Sequence, residues 1–256
     1  MDYKLSSDVI SKGYSLLTYE VVASTNDTAF ELADKFCSKL WVVSAEQNSG
    51  RGRRGRTWVS PKGNLYSSLL LSENLKVEDC IALSYIAGVS LMDSIYSFDR
   101  VDNSVDITIK WPNDILINGA KASGILLETK KINNRNVVVV GIGLNILTKP
   151  EIDAYPTTCL HDSGIICTPE QLFERLSYYW IKNYDIYHNN DGKKLIIKKW
   201  LDYCSLVGKP VTVKLKNKSI IGSFEGLSEE FGCLIKMENN DTITINSGDI
   251  LLGGTL

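Results

Sequence analysis

Between two short apolar runs, residues 40–45 (Leu-Trp-Val-Val-Ser-Ala) and 65–71 (Leu-Tyr-Ser-Ser-Leu-Leu-Leu), the chain carries Gly50-Arg51-Gly52-Arg53-Arg54-Gly55-Arg56-Thr57-Trp58. Four guanidinium groups fall within six consecutive positions, separated by glycines. Glycine opens backbone conformations closed to other residues and admits close approach by a ligand, so this segment does not continue a helix. Arginine adds a permanent charge and a planar fork of donors matched to carboxylate and phosphate oxygens. The flanking runs are short, apolar and bounded by turn residues, as buried strands are. The expected arrangement is an ordered anion-binding loop set in a sheet-based core. A solvated basic turn or a disordered Arg/Gly segment that binds RNA fits this framing less well. A P-loop also fails, because Arg56 stands where that motif needs lysine and residues 58–63, Trp-Val-Ser-Pro-Lys-Gly, start no helix.

Composition limits the partners. The chain has 256 residues, 44% hydrophobic and 23% charged, enough for one large core and a small second domain. Its net charge is only −2, so the arginine cluster is a local site and not part of a polyanion-binding face. Cys37, Cys80, Cys159, Cys167, Cys204 and Cys233 form no C-x-x-C pair and read as reduced thiols. His161 and His188 have no second ligand at zinc-binding spacing. The first eight residues lack an apolar signal core and no stretch is long enough to span a bilayer, which predicts a cytoplasmic protein.

The pattern along the chain is mixed. Residues 16–22 read as a strand, followed by Ser24-Thr25-Asn26-Asp27 as the cap of a helix through Ala29, Phe30, Leu32, Ala33 and Phe36. Asp79 is the expected cap of a second helix, with Leu83, Ile86, Ala87, Leu91 and Ile95 on one face and an end near Ser97-Phe98-Asp99. Strands are expected at 107–111, 114–117, 125–127 and 137–143, with a hairpin turn at Asn118-Gly119. Thr168 followed by Pro169 predicts a helix running to about Tyr187, and another spans about 193–203. From Leu206 the texture becomes short alternating strands, a small β module of SH3 type. It holds five lysines against six acids, a net of −1, which disfavours nucleic-acid binding.

Two further blocks carry chemistry. Lys110-Trp111-Pro112-Asn113-Asp114 sets a cation, an amide and a carboxylate beside one another; Asn113 with Asp114 suits Mg²⁺ held through oxygens, and equally a structured hairpin turn. Lys121 in Lys121-Ala122-Ser123-Gly124 is either an exposed lysine before a strand bulge or a second point charge for the anion. Gly141-Ile142-Gly143-Leu144-Asn145 lacks the third glycine and the helix of a dinucleotide fingerprint. Its glycines are expected to leave room for a flat ligand, with Asn145 supplying amide hydrogen bonds.

In this order, Ser24-Thr25-Asn26, Gln47, the arginine/glycine loop, Lys110 to Asp114, Lys121 with Gly124, the Gly141 to Asn145 block and the small β module resemble a biotin protein ligase of the short type, without a DNA-binding domain, over nearly the whole chain. The resemblance implies an α/β (α+β) fold: a mixed sheet with flanking helices, like that of class II aminoacyl-tRNA synthetases, over 1–205 and an SH3-like domain over 206–256. It also implies that biotin and ATP give biotinyl-5′-adenylate, with Mg²⁺, before attack by a lysine of a biotin carboxyl carrier domain. Arg51, Arg53 and Lys121 are then the catalytic cations. Ser24, Thr25, Asn26, Gln47, Gly50 and Gly124 join them around biotin, Trp58, Lys110, Asn113 and Asn145 hold the nucleotide, and Asp114 serves the metal. No DNA or membrane partner is expected, and the assembly is a monomer or homodimer. A lipoate ligase of the same fold and a non-catalytic RNA-binding protein are the alternatives. Residues 148–168 follow no mapped pattern.

Overall fold

The computed structural model describes residues 1–35, 39–72, 75, 77–98 and 104–251. Phe36, Cys37 and Asp99 fall outside them. The elements in chain order are α1 (Ser7–Ser11), β1 (Ser15–Val22), α2 (Thr25–Glu31), β2 (Leu40–Gln47), β3 (Leu65–Leu71), α3 (Val77–Tyr96), β4 (Ile107–Lys110), β5 (Asp114–Ile117), β6 (Ala120–Ile132), β7 (Arg135–Leu144), α4 (Pro169–Tyr187), α5 (Gly192–Asp202), β8 (Pro210–Lys214), β9 (Ser219–Leu227), β10 (Cys233–Lys236), β11 (Thr242–Ile245) and β12 (Asp249–Leu251). The first seven strands form one mixed sheet in the order β1-β2-β3-β7-β6-β5-β4, with β1 and β2 parallel and the remaining neighbours antiparallel.

Both faces of that sheet are covered, which explains why its central strands read as continuous apolar runs. Side chains alternate across a strand. Trp41, Val43, Leu69, Leu71, Val138 and Val140 therefore enter the large core shared with α3, α4 and α5. Leu40, Val42, Leu70, Val137 and Val139 face the other way and pack under Ala29 and Phe30 of α2. The β5–β6 hairpin turns through Asn118 (φ 49°) and Gly119 (φ 79°), the left-handed pair that a two-residue hairpin needs. The helix at Thr168 starts with a full capping box: the Thr168 hydroxyl accepts from the Gln171 amide at 3.2 Å while Gln171 Oε1 accepts from the Thr168 amide at 3.0 Å.

Some boundaries differ from expectation. α3 begins at Val77, so Asp79 lies inside it, and its carboxylate accepts a hydrogen bond from the Tyr187 hydroxyl at 2.7 Å. α2 ends at Glu31, after which Leu32 to Lys35 form a turn. β6 is much longer than its apolar centre, because its polar second half stays paired with β7 as far as Ile132↔Arg135. The C-terminal strands form a five-stranded antiparallel sheet, β11-β10-β9-β8-β12. Its Phe224, Phe231, Cys233 and Ile235 belong to the same buried cluster as α3 and α5. Tyr85 of α3 donates to the Phe231 carbonyl at 2.7 Å, so the second sheet is seated on the first layer of helices. The described cysteines, Cys80, Cys159, Cys167, Cys204 and Cys233, are buried. No helix among the described residues is long and apolar enough to cross a membrane.

Candidate active site

A cleft opens where the start of α2, the end of β2 and the middle of β6 and β7 meet beneath the arginine loop. Its lining includes Ser24, Thr25, Asn26, Gln47, Arg51, Arg53, Trp58, Asn113, Asp114, Lys121 and Gly124, most of the residues expected from sequence. Gly50, Lys110 and Asn145 stand outside that lining.

One wall is a buried polar network. Ser24 has the extended backbone of a helix cap but its hydroxyl makes no cap hydrogen bond. Gln47 takes that part: its Oε1 accepts from the Thr25 amide at 2.8 Å and from the Thr25 hydroxyl at 3.1 Å, while its Nε2 donates to Ser60 Oγ at 2.9 Å. Ser68 of β3 donates to Asn26 Oδ1 at 2.6 Å, and Asn26 Nδ2 reaches Glu128 Oε2 at 2.7 Å. These partners fix the amide orientations, as buried polar groups require.

The floor is made by glycines. A Cβ on Gly141 would lie 2.3 Å from Asn26 Oδ1, and one on Gly143 would lie 2.5 Å from Trp58 Nε1. A Cβ on Gly124 would stand 3.3 Å from the Trp58 ring and 3.7 Å from Lys121 Nζ. The space expected for a flat ligand is thus occupied by Asn26 and Trp58. Gly141 and Gly143 line the cleft together with them.

The arginine loop is ordered by its own turns and by counter-ions. Arg51 bridges to Thr57 and Gln47 to Ser60, closing the loop's stem, and Arg54 adopts φ 56° in a short 3₁₀ turn, Arg53–Gly55. Gly50 packs against the Trp58 carbonyl, where a Cβ would come within 2.4 Å of the oxygen. Arg51 forks onto Asp27, with Nη2 at 2.9 Å from Oδ1, and reaches Glu128 at 3.1 Å. The hydrogen bond from Arg51 holds Asp27 below the usual carboxylate range against the cost of desolvation, and Asp27 in turn holds the guanidinium charged more firmly. Arg53 donates to Asn113 Oδ1 at 3.2 Å, Asp249 Oδ1 at 3.2 Å and the Gly248 carbonyl at 3.0 Å. Burial lowers the Arg53 pKa, with Asp249 and Asp114 opposing the shift. Arg54 and Arg56 place Nη1 and Nη2 at 3.2 and 3.0 Å from Asp249 Oδ2. One carboxylate of the C-terminal sheet therefore gathers three arginines of the loop.

Asp114 has the same role for lysines. Lys121 Nζ lies 2.6 Å from its Oδ1 and Lys110 Nζ 3.2 Å from its Oδ2, while Asn113 Nδ2 is spent on the Ile125 carbonyl. Among the described residues no three His, Cys, Asp or Glu side chains converge as a metal site. This arrangement makes Asp114 the counter-ion to two ammonium groups. Asn145 is buried, its Nδ2 donating to the Thr158 carbonyl at 3.0 Å, while its Oδ1 and Trp58 Nε1 are buried without a partner. Sequence reasoning missed Asp27, Glu128, Tyr155 and Asp249. No local pattern marks the three acids, which lie 24, 77 and 196 residues from the arginines they meet.

The cleft amounts to about 760 Å³ counting solvent at its mouth, yet only about 70 Å³ of it has room for solvent-sized molecules. Small-molecule sites run to roughly 300–1,000 Å³, so the cleft as it stands is narrower than such a ligand needs. A cluster of cations already pinned to carboxylates is chemically suited to exchange those carboxylates for the anions of its substrates.

Known proteins share this plan. Residues 18–145 match the model of the Biotin/lipoate A/B protein ligase family, and residues 206–253 match that of the Biotin protein ligase C terminal domain. The chain is similar to a biotin--[acetyl-CoA-carboxylase] ligase of Paracoccus denitrificans, 32% identical over 90% of this chain and 98% of that protein. It is 31% identical to the bifunctional ligase/repressor BirA of Bacillus subtilis over 94% of this chain and 75% of that one. Among solved structures, a biotin protein ligase from Aquifex aeolicus in complex with biotin and ATP has TM-score 0.76 at 26% identity, over 93% of this chain and 97% of that one. Fold and cleft together define the class of the biotin/lipoate ligases. Within it, the chain belongs to the biotin protein ligase family.

Proposed function

We infer that the chain activates biotin with ATP and passes it to a lysine of a biotin carboxyl carrier domain. In the first step a biotin carboxylate oxygen bonds to the α-phosphorus and pyrophosphate leaves; in the second the lysine amine attacks the acyl carbon and AMP leaves with the bonding electrons. Two anions must meet, and their repulsion in a poorly hydrated cleft is large without interposed cations. The convergence of Arg51, Arg53 and Lys121 on one cleft is the observation that carries the reading. No covalent enzyme intermediate is needed, because the adenylate itself supplies the leaving group.

Ser24, Thr25, Asn26, Gln47 and Gly124, with Gly50 holding the loop stem, are the biotin side. Trp58, Lys110, Asn113 and Asn145 are the nucleotide side, supported by the unpartnered Trp58 Nε1 donor and Asn145 Oδ1 acceptor. Mg²⁺ would supply charge neutralisation on the phosphates, and no step here runs through a ligand bond from Asp114. The catalytic domain spans 1–205 and an SH3-like module spans 206–256, a division supported by the separate family matches at 18–145 and 206–253. The chain acts in the cytoplasm as a monomer or homodimer and without DNA, the last supported by its net charge of −2.

The test is ATP–pyrophosphate exchange by the purified chain with biotin or lipoate as the acid. Exchange with biotin alone is expected. Exchange with lipoate alone would assign the related ligase, and salt-sensitive RNA binding without exchange would assign the non-catalytic alternative.

A further inference from the structure

Lys121 is gripped at both ends by one short segment of the unmapped stretch 148–168. Its amide donates to the Pro156 carbonyl at 2.8 Å and its carbonyl accepts from the Thr158 amide at 3.0 Å, a parallel bridge to Thr157. The segment thereby takes over on β6 where β7 has ended. At the far end of the same side chain, the ammonium lies 5.5 Å from the centre of the Tyr155 ring and 5.7 Å from that of Trp58. Asp114 Oδ1 stands 2.6 Å away on a further side. Tyr155 also lines the cleft.

We propose that Tyr155 is a positioning residue for Lys121: its ring confines the ammonium against Trp58 and over Gly124, aiming the charge into the cleft. This rests on the ligase reading above and adds to it a residue that touches Lys121 through its ring face. A lysine head on a four-carbon stem loses its direction readily, and an ion pair with Asp114 alone fixes a distance but not an orientation. Aromatic faces within about 6 Å attract a cation while donating nothing to it, so its remaining N–H groups stay available to anions. Tyr155 is not what holds the segment in place. Its neighbours Ala154 and Pro156 are exposed, and the segment is anchored by the two main-chain bonds to Lys121 and by the Thr157 hydroxyl on the Pro150 carbonyl at 2.5 Å.

The experiment compares full-length Tyr155→Leu and Tyr155→Phe in biotin-dependent ATP–pyrophosphate exchange, with kcat separated from KM. Tyr155→Leu should lower kcat about tenfold while the KM for biotin stays within about twofold, and Tyr155→Phe should restore kcat to within about threefold of wild type. Labelling of Lys121 by acetic anhydride, read by mass spectrometry, should be faster in Tyr155→Leu than in Tyr155→Phe. Wild-type kcat in Tyr155→Leu, or equal losses in both variants with equal labelling, would overturn the proposal. A wild-type chain inactive with biotin would instead overturn the ligase reading, and the labelling comparison would still decide whether the ring confines the ammonium.

Discussion

Asp249→Asn removes one negative charge from contact with three guanidinium groups and keeps the shape of the side chain. At 3.2 Å and an effective dielectric constant of about 20, Coulomb's law gives roughly 5 kcal/mol for one isolated pair such as Arg53–Asp249. That figure is too large here for two reasons. Arg53, Arg54 and Arg56 repel one another, and Arg54 and Arg56 are 38% and 57% exposed, a setting in which ion pairs are worth about 0.2–1 kcal/mol. Arg53 and Asp249, 27% and 19% exposed, form the more enclosed pair and dominate. The expected cost is therefore about 1–2 kcal/mol. Urea unfolding followed by tryptophan fluorescence reads this as a midpoint lower by about 0.5 M, for a slope near 3 kcal/mol per M. The loss should shrink between about 0.05 M and about 1 M salt, as the screening length falls from above 10 Å to about 3 Å. An unchanged midpoint at low salt, or a loss independent of salt, would refute the idea that this carboxylate ties the arginine loop to the C-terminal sheet.

Two other outcomes follow from the cleft. Gly143→Ala places a methyl group 2.5 Å from where Trp58 Nε1 now sits, so the indole must move. Pyrophosphate exchange should fall about 100-fold, with secondary structure intact by circular dichroism, and near-normal exchange would show that Trp58 position is unimportant. Asp27 titrates below its ordinary range because Arg51 hydrogen-bonds to it. A carboxyl whose folded pKa is depressed contributes stability above its unfolded pKa and loses it as pH falls through the folded value. Urea midpoints of the wild type should therefore drop more steeply than those of Asp27→Asn as pH is lowered below about 4, and parallel curves would remove Asp27 from the account.

What the sequence disclosed was local. The arginine/glycine run, the 110–114 block and the glycines of β7 each announced themselves within a few residues, and the capping box at Thr168 fixed a helix start. The counter-ions did not, because they reach the loop across the fold: Asp27 meets Arg51 from 24 residues away, Glu128 from 77, and Asp249 meets Arg53 from 196. The use of Gln47 as the cap of α2 was illegible for the same reason, since the adjacent Ser24 offered the ordinary local solution. What stands above Gly141 and Gly143 was equally hidden, because Asn26 and Trp58 are brought over them by α2 and the loop.

The pairing of Arg53 with Asp249 also sets a timetable for biosynthesis. The guanidinium groups leave the ribosome 196 residues before their shared acid, about 10–40 s at 5–20 residues per second. Throughout that interval Arg53, Arg54 and Arg56 lack the carboxylate that gathers them in the finished fold. A translation product stopped short of Asp249 would therefore be expected to carry these three arginines without their shared acid, attracting stray polyanions where the finished molecule has already neutralised them.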